Sequence, residues 1–378
     1  MRGRFVWHCL GGVVAVLAGI VVVESASAET SAKSPIGPKI EEGVAWYDVG
    51  NWGVEGRGWD DTKRYFDRLP AEAEEKVRPP VWNLSRQSAG MSALFATDAT
   101  TIWVRYKLLN ASLGMPHMPP TGVSGVDLYA RDDDGRWRWV AVSRPDAQEV
   151  TQKLADGLRS GRRDYRVYLP LYNGTESLEI GVPEEAKFVP ISPREEKPIV
   201  FYGTSILHGG CASRPGMAWP SIVCRALDCP HINLGFSGNG TMDESVGELM
   251  GRIDAAAYVI DCLPNMRADL IARRTVPLVK QIRAARPDAP IILVEDRSYT
   301  NGWIIPSQRE RNETSREALR NAYEILVTEG IRDLVYVPGD HLMGDDGEAT
   351  VDGSHPSDLG MMRQAEILAA VLKEVLGK

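Results

Sequence analysis

The stretch Ile199-Val200-Phe201-Tyr202-Gly203-Thr204-Ser205-Ile206 decides how the second half of this chain is read. An apolar run closed by glycine and small polar residues reads as a buried parallel strand. A loop from His208 to Pro215 follows, then a helical pattern from Met217 to Leu227. A serine just past the C-terminal end of such a strand stands where open α/β sheets bind ligands. Ser205 is therefore a candidate nucleophile. The plainer reading of the same residue is a cap on a turn or helix start.

The alternation of strand and helix continues to the C-terminus. Strands are expected at Ile199–Tyr202, His231–Leu234, Tyr258–Leu263, Ile291–Val294 and Leu334–Val337. Helices are expected at Met217–Leu227, Met242–Ile253, Ala268–Ala285, Gln308–Val327 and Pro356–Leu376. Five strands interleaved with helices imply an α/β fold, a flavodoxin-like, doubly wound parallel sheet over residues 199–378.

Upstream the pattern differs. Residues 101–108 alternate with the period of a half-buried strand. Val126–Ala130 and Trp137–Val142 read as a hairpin around Asp134-Gly135. Residues 165–169 and 177–182 continue the series. Short strands with turn signals and no long helix imply an all-β sandwich over residues 46–189. Pro190 to Pro198 carries three prolines and a charge run, and reads as a linker. Tryptophans at 46, 52, 59, 82, 103, 137 and 139 crowd the first half. Exposed, they would suit sugar rings; buried, they are core.

The N-terminus reads as a targeting segment. Arg2 and Arg4 precede an apolar run from Leu10 to Val23, and Ala26-Ser27-Ala28 fits a cleavage site. Residues 1–28 are thus expected to be a signal peptide and residues 29–45 a flexible mature N-terminus. The protein is then secreted or periplasmic, with no membrane insertion after cleavage. The run is short for a membrane span. A net charge of −8 argues against nucleic acid as a partner. At 43% hydrophobic residues, a sizeable core can form. Export means an oxidising compartment, and Cys211, Cys224, Cys229 and Cys262 allow three full pairings that the sequence cannot choose between. Cys262 reads as a buried thiol, whereas Cys224 and Cys229 flank a helix end. No spacing suggests a metal site.

Four blocks fall after strands or in late loops and should meet at one sheet edge. They are Gly203-Thr204-Ser205, Asn233 to Gly240, Asp261-Cys262-Leu263-Pro264-Asn265, and Asp352-Gly353-Ser354-His355-Pro356. Acyl transfer needs a nucleophile, a base, an orienter and anion donors. Ser205, His355 and Asp352 can fill the first three roles. The N–H groups of Ser205 and Gly238, with the Asn265 amide, can form an oxyanion hole. His208 and Arg297 are expected near substrate; each has a plainer alternative, as a loop residue or as the partner of a carboxylate. His341 is a rival base, and His231 reads as structural.

These blocks resemble the SGNH (GDSL-like) hydrolase family, whose signature residues match Ser205, Gly238, Asn265 and His355, with the acid at Asp352. The resemblance covers residues 199–378. Thr204 stands where the family usually has aspartate, and Pro264-Asn265-Met266 departs from its usual Gly-x-Asn-Asp. Gly125-Val126-Asp127-Leu128-Tyr129 resembles the Gly-x-Asp-Leu-Tyr signature of a β-sandwich domain that precedes some SGNH esterases. The resemblance implies a serine esterase that works through an acyl-enzyme without cofactor. It favours O-acetyl esters of a sugar or polysaccharide, a substrate step resting on analogy alone. The competing expectations are a lipase or lysophospholipase-type acylhydrolase, and a non-catalytic carbohydrate-binding surface protein.

Overall fold

The structure, a computed structural model, describes residues 37–378. The expected signal peptide, and residues 29–36 of the expected flexible segment, lie outside the described residues. Among the described residues no helix is long and apolar enough to cross a membrane.

Among the described residues fifteen strands run in chain order. They are β1 (Lys39–Glu41), β2 (Val44–Asp48), β3 (Ser92–Thr97), β4 (Ile102–Leu108), β5 (Asp127–Arg131), β6 (Trp137–Val142), β7 (Glu149–Ala155) and β8 (Arg163–Tyr168). Then come β9 (Thr175–Pro183), β10 (Phe188–Ile191), β11 (Ile199–Gly203), β12 (His231–Gly235), β13 (Ala257–Asp261), β14 (Ile291–Val294) and β15 (Leu334–Val337). The first ten form two antiparallel sheets, ordered β1-β2-β9-β4-β7 and β10-β3-β8-β5-β6. Strand β4 buries Ile102, Val104, Tyr106 and Leu108 on one side, as its alternation requires. Those side chains share one apolar cluster with Phe95, Val167 and Leu128 of the other sheet.

The last five strands form a parallel sheet in the order β12-β11-β13-β14-β15. Strands β11, β12 and β13 are buried along their whole length, because helices cover both faces. In this order the chain reverses direction across the sheet on either side of β11, so the ends of β11 and β13 open the crevice where such sheets bind ligands.

Several expected boundaries move for local reasons. The segment expected to be loose up to residue 45 holds β1 and β2, which pair as Lys39↔Trp46 to Glu41↔Val44. Phe188–Ile191, at the start of the expected linker, pairs with β3 as an edge strand, where Pro190 is tolerated. Met242 has φ +54°, so its helix starts only at Glu244. Pro356 bridges to Thr350, and the last helix begins at Asp358. Most of the first-half tryptophans are packed. Trp139 is half-exposed, but it donates to Asp127 Oδ1 at 2.8 Å and stacks on Arg214. All four described cysteines are free and buried.

The first half also enters the core of the second. Leu69, Ala73, Val77, Val81 and Trp82 pack with Val200, Tyr202 and Ile232 on one face of the parallel sheet. Met118, Val123 and Leu171 pack with Phe201, Leu207 and Trp219 on the other. Beside the first cluster lies Arg68, 1% exposed. It donates to the carbonyls of Leu84, Gln87, Asn233 and Gly235 at 2.7–3.0 Å. Burial pulls its guanidinium down to about 9, yet at neutral pH it stays charged and must find carbonyl partners. Arg68→Ala should therefore destabilise the fold by about 3 kcal/mol, the order expected when buried acceptors lose a shared donor. Arg68→Lys should recover only part of this. Urea unfolding of the three proteins measures it, and an unchanged midpoint for Arg68→Ala would remove Arg68 from this role.

Candidate active site

Ser205 lies one residue past the end of β11, after Thr204, and opens the short helix Ser205–His208. Thr204 caps that helix, its hydroxyl accepting from Ile206 N at 3.3 Å. A threonine can serve here because the cap needs only a side-chain oxygen, which aspartate also supplies. The helix's far end is tied by the Ser205 carbonyl, which accepts from Gly209 N, Gly210 N and the Tyr172 hydroxyl at 2.7–3.1 Å. Ser205 is 8% exposed, with its hydroxyl on His355.

His355 Nε2 lies 2.8 Å from Ser205 Oγ, and His355 Nδ1 lies 2.7 Å from Asp352 Oδ2. The other Asp352 oxygen accepts the backbone N–H of Ser354 at 3.0 Å and of His355 at 2.8 Å. Burial works to raise the Asp352 carboxyl, but the backbone and ring of His355 outweigh it and hold it below the usual carboxylate range. The carboxylate is thus ionised wherever a neutral histidine can act. With Nδ1–H directed at that carboxylate, Nε2 is left to accept the serine proton.

The loop carrying these two residues is anchored at several points. Val351 N donates to the His355 carbonyl at 2.8 Å, and the Thr350 and Thr300 hydroxyls meet at 2.7 Å. Thr300 N donates to the Gly353 carbonyl at 3.0 Å. Two residues beyond the loop, Asp358 accepts from Ser213 N at 2.9 Å and from the Ser213 hydroxyl at 2.5 Å.

Gly238 and Asn265 approach from the ends of β12 and β13. Gly238 has φ +68°, a conformation that favours glycine at the tip of its turn. Gly240 passes so close to β11 that a Cβ there would fall 1.9 Å from the Gly203 carbonyl oxygen. Among the described residues no backbone hydrogen bond uses the N–H of Ser205 or of Gly238. The Asn265 amide, assigned from its hydrogen bonds, accepts from Asn239 N and Gly240 N at 3.1 Å each. Its Nδ2 then faces the opposite way and is free to donate to an anion.

Two further arginines fix this loop. Arg78 donates to Asn239 Oδ1 at 2.8 Å, to the Asn239 carbonyl at 2.9 Å and to Asp243 Oδ2 at 2.8 Å. Arg274 donates to the Thr241 carbonyl at 2.7 Å and to Asp243 Oδ1 at 2.5 Å.

The two residues expected near substrate are elsewhere. His208 is fully buried, hydrogen-bonded to the Leu171 carbonyl at 2.7 Å and stacked on Tyr172. Its short helix turns the ring inward, away from the cleft. Arg297 is 1% exposed and grips both oxygens of Asp261, at 2.7 and 2.8 Å, so its charge is already matched. His341 is exposed and pairs with Asp345 at 2.8 Å, in a groove of about 460 Å³ that also holds Trp303, Asp340 and Thr300. This groove adjoins the His355 loop through Thr300. Among the described residues no cluster of potential metal ligands occurs.

The first half brings residues that sequence reasoning passed over. Arg68 and Arg78 lie in a stretch without clear periodicity. His117 sits in Pro116-His117-Met118-Pro119, and its ring centroid is 6.3 Å from that of His355. No spacing in one sequence could place any of the three against the elements of this site.

Comparison with known proteins finds a family for each half of the chain. The GDSL-like lipase/acylhydrolase family matches residues 196–373, and the N-terminus of SGNH-hydro-type esterases matches residues 44–188. A crystal structure of a GDSL-like lipase from Bacteroides ovatus ATCC 8483 is 32% identical, with a TM-score of 0.84. The match covers 88% of this chain and 98% of that one. The salicylyl-acyltransferase SsfX3 of a tetracycline biosynthetic pathway is 19% identical at TM-score 0.66, covering 90% and 98%. The acetyl xylan esterase Est2A of Butyrivibrio proteoclasticus is 12% identical at TM-score 0.54, covering 88% and 99%; at these identities the likeness is one of fold. No curated protein matches the chain.

Arg78→Ala should loosen the turn at Gly238 while leaving every residue on β11 and β13 in place. An ester-hydrolysis kcat reduced about tenfold, near 1.4 kcal/mol, is the expected result, because small displacements of anion donors are costly. Wild-type kcat in a folded Arg78→Ala protein would show that the turn holds itself.

Proposed function

The chain belongs to the GDSL-like lipase/acylhydrolase family and is a serine ester hydrolase; we propose that it is an exported enzyme removing O-acetyl groups from carbohydrate. The observation that carries the catalytic reading is the run of hydrogen bonds from Ser205 through His355 to Asp352, at 2.8 and 2.7 Å.

In this reading Ser205 Oγ attacks the ester carbonyl carbon as its proton passes to His355 Nε2. Negative charge gathers on the former carbonyl oxygen. The N–H groups of Ser205 and Gly238 and Asn265 Nδ2 stabilise it. The C–O bond to the alcohol then breaks, and the alcohol oxygen takes the proton from His355. Water repeats the sequence on the acyl-enzyme and returns the serine. Asp352 keeps the imidazole oriented and stabilises its charged form.

The carbohydrate part rests on fold neighbours and on the groove beside the catalytic loop. Est2A, a neighbour of the same fold, is an acetyl xylan esterase, and a further neighbour of that fold, from Cellvibrio japonicus, is a family two carbohydrate esterase. The groove beside the His355 loop offers a highly exposed Trp303 with hydroxyls and carboxylates, a lining suited to a polyol. Export rests on residues 1–28. The two antiparallel sheets are read as the faces of a β-sandwich, which β1 and β10 extend beyond the expected 46–189 to residues 39–191, joined through 192–198 to the hydrolase part, 199–378.

Acetyl and longer-chain p-nitrophenyl esters, with acetylated polysaccharides, test the reading directly. Preference for longer chains would favour a lipase instead. Ser205→Ala should lower kcat on the order of 10⁴-fold or more, and retained activity in that folded variant would rule the serine out. Asn265→Ala should lower kcat about 10²–10³-fold with KM much less affected. A KM effect alone would make Asn265 a substrate contact. The base must be neutral to accept the serine proton, so kcat/KM should climb as the pH is raised from acid, and His355→Ala should lack that limb. A flat profile in the wild type would contradict histidine as the base.

A further inference from the structure

We propose that His117, carried by the antiparallel half, is a substrate-contacting residue that binds the alcohol portion of the ester. It would read a hydroxyl neighbouring the scissile bond. This rests on the esterase reading of Ser205 and His355.

His117 sits at a rigid tip. Met115 N donates to the Met118 carbonyl, and Met118 N to the Met115 carbonyl, both at 3.0 Å. Pro116 and His117 are therefore the two central residues of a tight turn. Beneath it Met118 is 2% exposed and packs in the cluster that holds Ile206 and Leu207, on the nucleophile's own helix. Just after the turn the Thr121 hydroxyl donates to the Ser213 carbonyl at 2.7 Å. Ser213 in turn holds Asp358, three residues beyond His355. The turn and the catalytic loop are thus braced on the same short segment, and their spacing is fixed before any ligand arrives.

The His117 ring itself is exposed, and among the described residues no hydrogen bond occupies it. Its centroid lies 6.3 Å from that of His355, with the planes inclined by 39°. Nothing in the packing of a lone surface imidazole calls for that placement.

The position selects which part of a substrate His117 meets. The acyl oxygen must point at the N–H groups of Ser205 and Gly238 and at Asn265. The leaving oxygen must reach His355 Nε2 to collect its proton. A group facing His355 therefore faces the alcohol. An imidazole both donates and accepts, which matches a hydroxyl and offers little to an alkyl chain or a bare aromatic ring. A site built to bond a hydroxyl discriminates strongly against an alcohol that lacks one. The alcohol class implied is a polyol with a hydroxyl next to the esterified one, as in a partly acetylated sugar ring.

The experiment compares wild type, His117→Ala and His117→Gln on p-nitrophenyl acetate and on a mono-acetylated methyl glycoside with a free vicinal hydroxyl. The ratio of the two kcat/KM values should shift against the glycoside by tenfold or more in His117→Ala, mainly through KM. His117→Gln, which keeps a donor and an acceptor, should recover part of it. A ratio that stays at the wild-type value overturns the proposal, whether both activities hold or both fall together. If wild type hydrolyses neither ester, the esterase reading fails instead; if it hydrolyses both and only the ratio is unmoved, His117 alone is at fault.

Discussion

The ion pair of buried Asp127 with partly exposed Arg214 is the contact on which the two halves depend. Asp127, in the Gly-x-Asp-Leu-Tyr stretch, has no exposed surface. Its oxygens accept from Trp139 Nε1 at 2.8 Å, Arg214 at 2.9 Å and Gly216 N at 2.9 Å. Tyr129, two residues on, adds its hydroxyl to the same arginine. Burial pushes the Asp127 carboxyl above its usual value, and the Arg214 charge pulls against that shift. Such a pair contributes little net stability against an apolar replacement, but losing one member leaves a stranded charge at a cost of about 3–5 kcal/mol. What it supplies is position. Arg214 and Gly216 belong to the segment whose Ser213 holds Asp358, so a motif in the antiparallel half fixes the base of the catalytic loop.

The same logic recurs on the opposite side of the sheet. Arg68 collects the carbonyls at the end of β12, and Arg78 holds the turn that follows it. Both come from residues 68–78, ahead of the first long strands. The parallel sheet delivers Ser205, Gly238 and Asn265 to one edge by its strand order alone. It does not stop the loops between them from moving. Guanidinium groups do so well, because each offers several donors in a fixed plane to carbonyls that already point outward at strand ends.

Legibility of the sequence followed the range of the forces involved. Strands β11, β14 and β15 and the helix Ala268–Ala285 could be placed to within a residue, since burial on both faces or on one stripe writes itself into local periodicity. That the sheet is parallel and wound on both faces followed from alternation, and the block order brought Ser205, Asp352 and His355 together in advance. Strands β1, β2, β3, β7 and β10 went unread. β3 is buried at every position and lacks alternation, and β10 is a four-residue edge strand with a proline. His208 is neither a pocket nor a loop-surface residue, and Arg297 follows its plainer alternative as the partner of a carboxylate. Proximity in sequence to a strand end does not say which way the side chain turns, and both turn inward to partners supplied by distant residues, Leu171 and Asp261.

Thr204 carries the last step of the argument. The family usually has aspartate at this position, yet the structure asks of it only an oxygen on Ile206 N. A carboxylate there would add negative charge next to Ser205, beside an oxyanion that forms during the reaction. A neutral hydroxyl meets the same capping need without that repulsion. The charge that orients the base is kept on Asp352, where two backbone N–H groups and His355 neutralise it. Capping and charge are thus separable demands, one local to the helix start and one local to the late loop. A chain can change the first residue and keep the chemistry so long as the second stays where the 213–358 contact holds it.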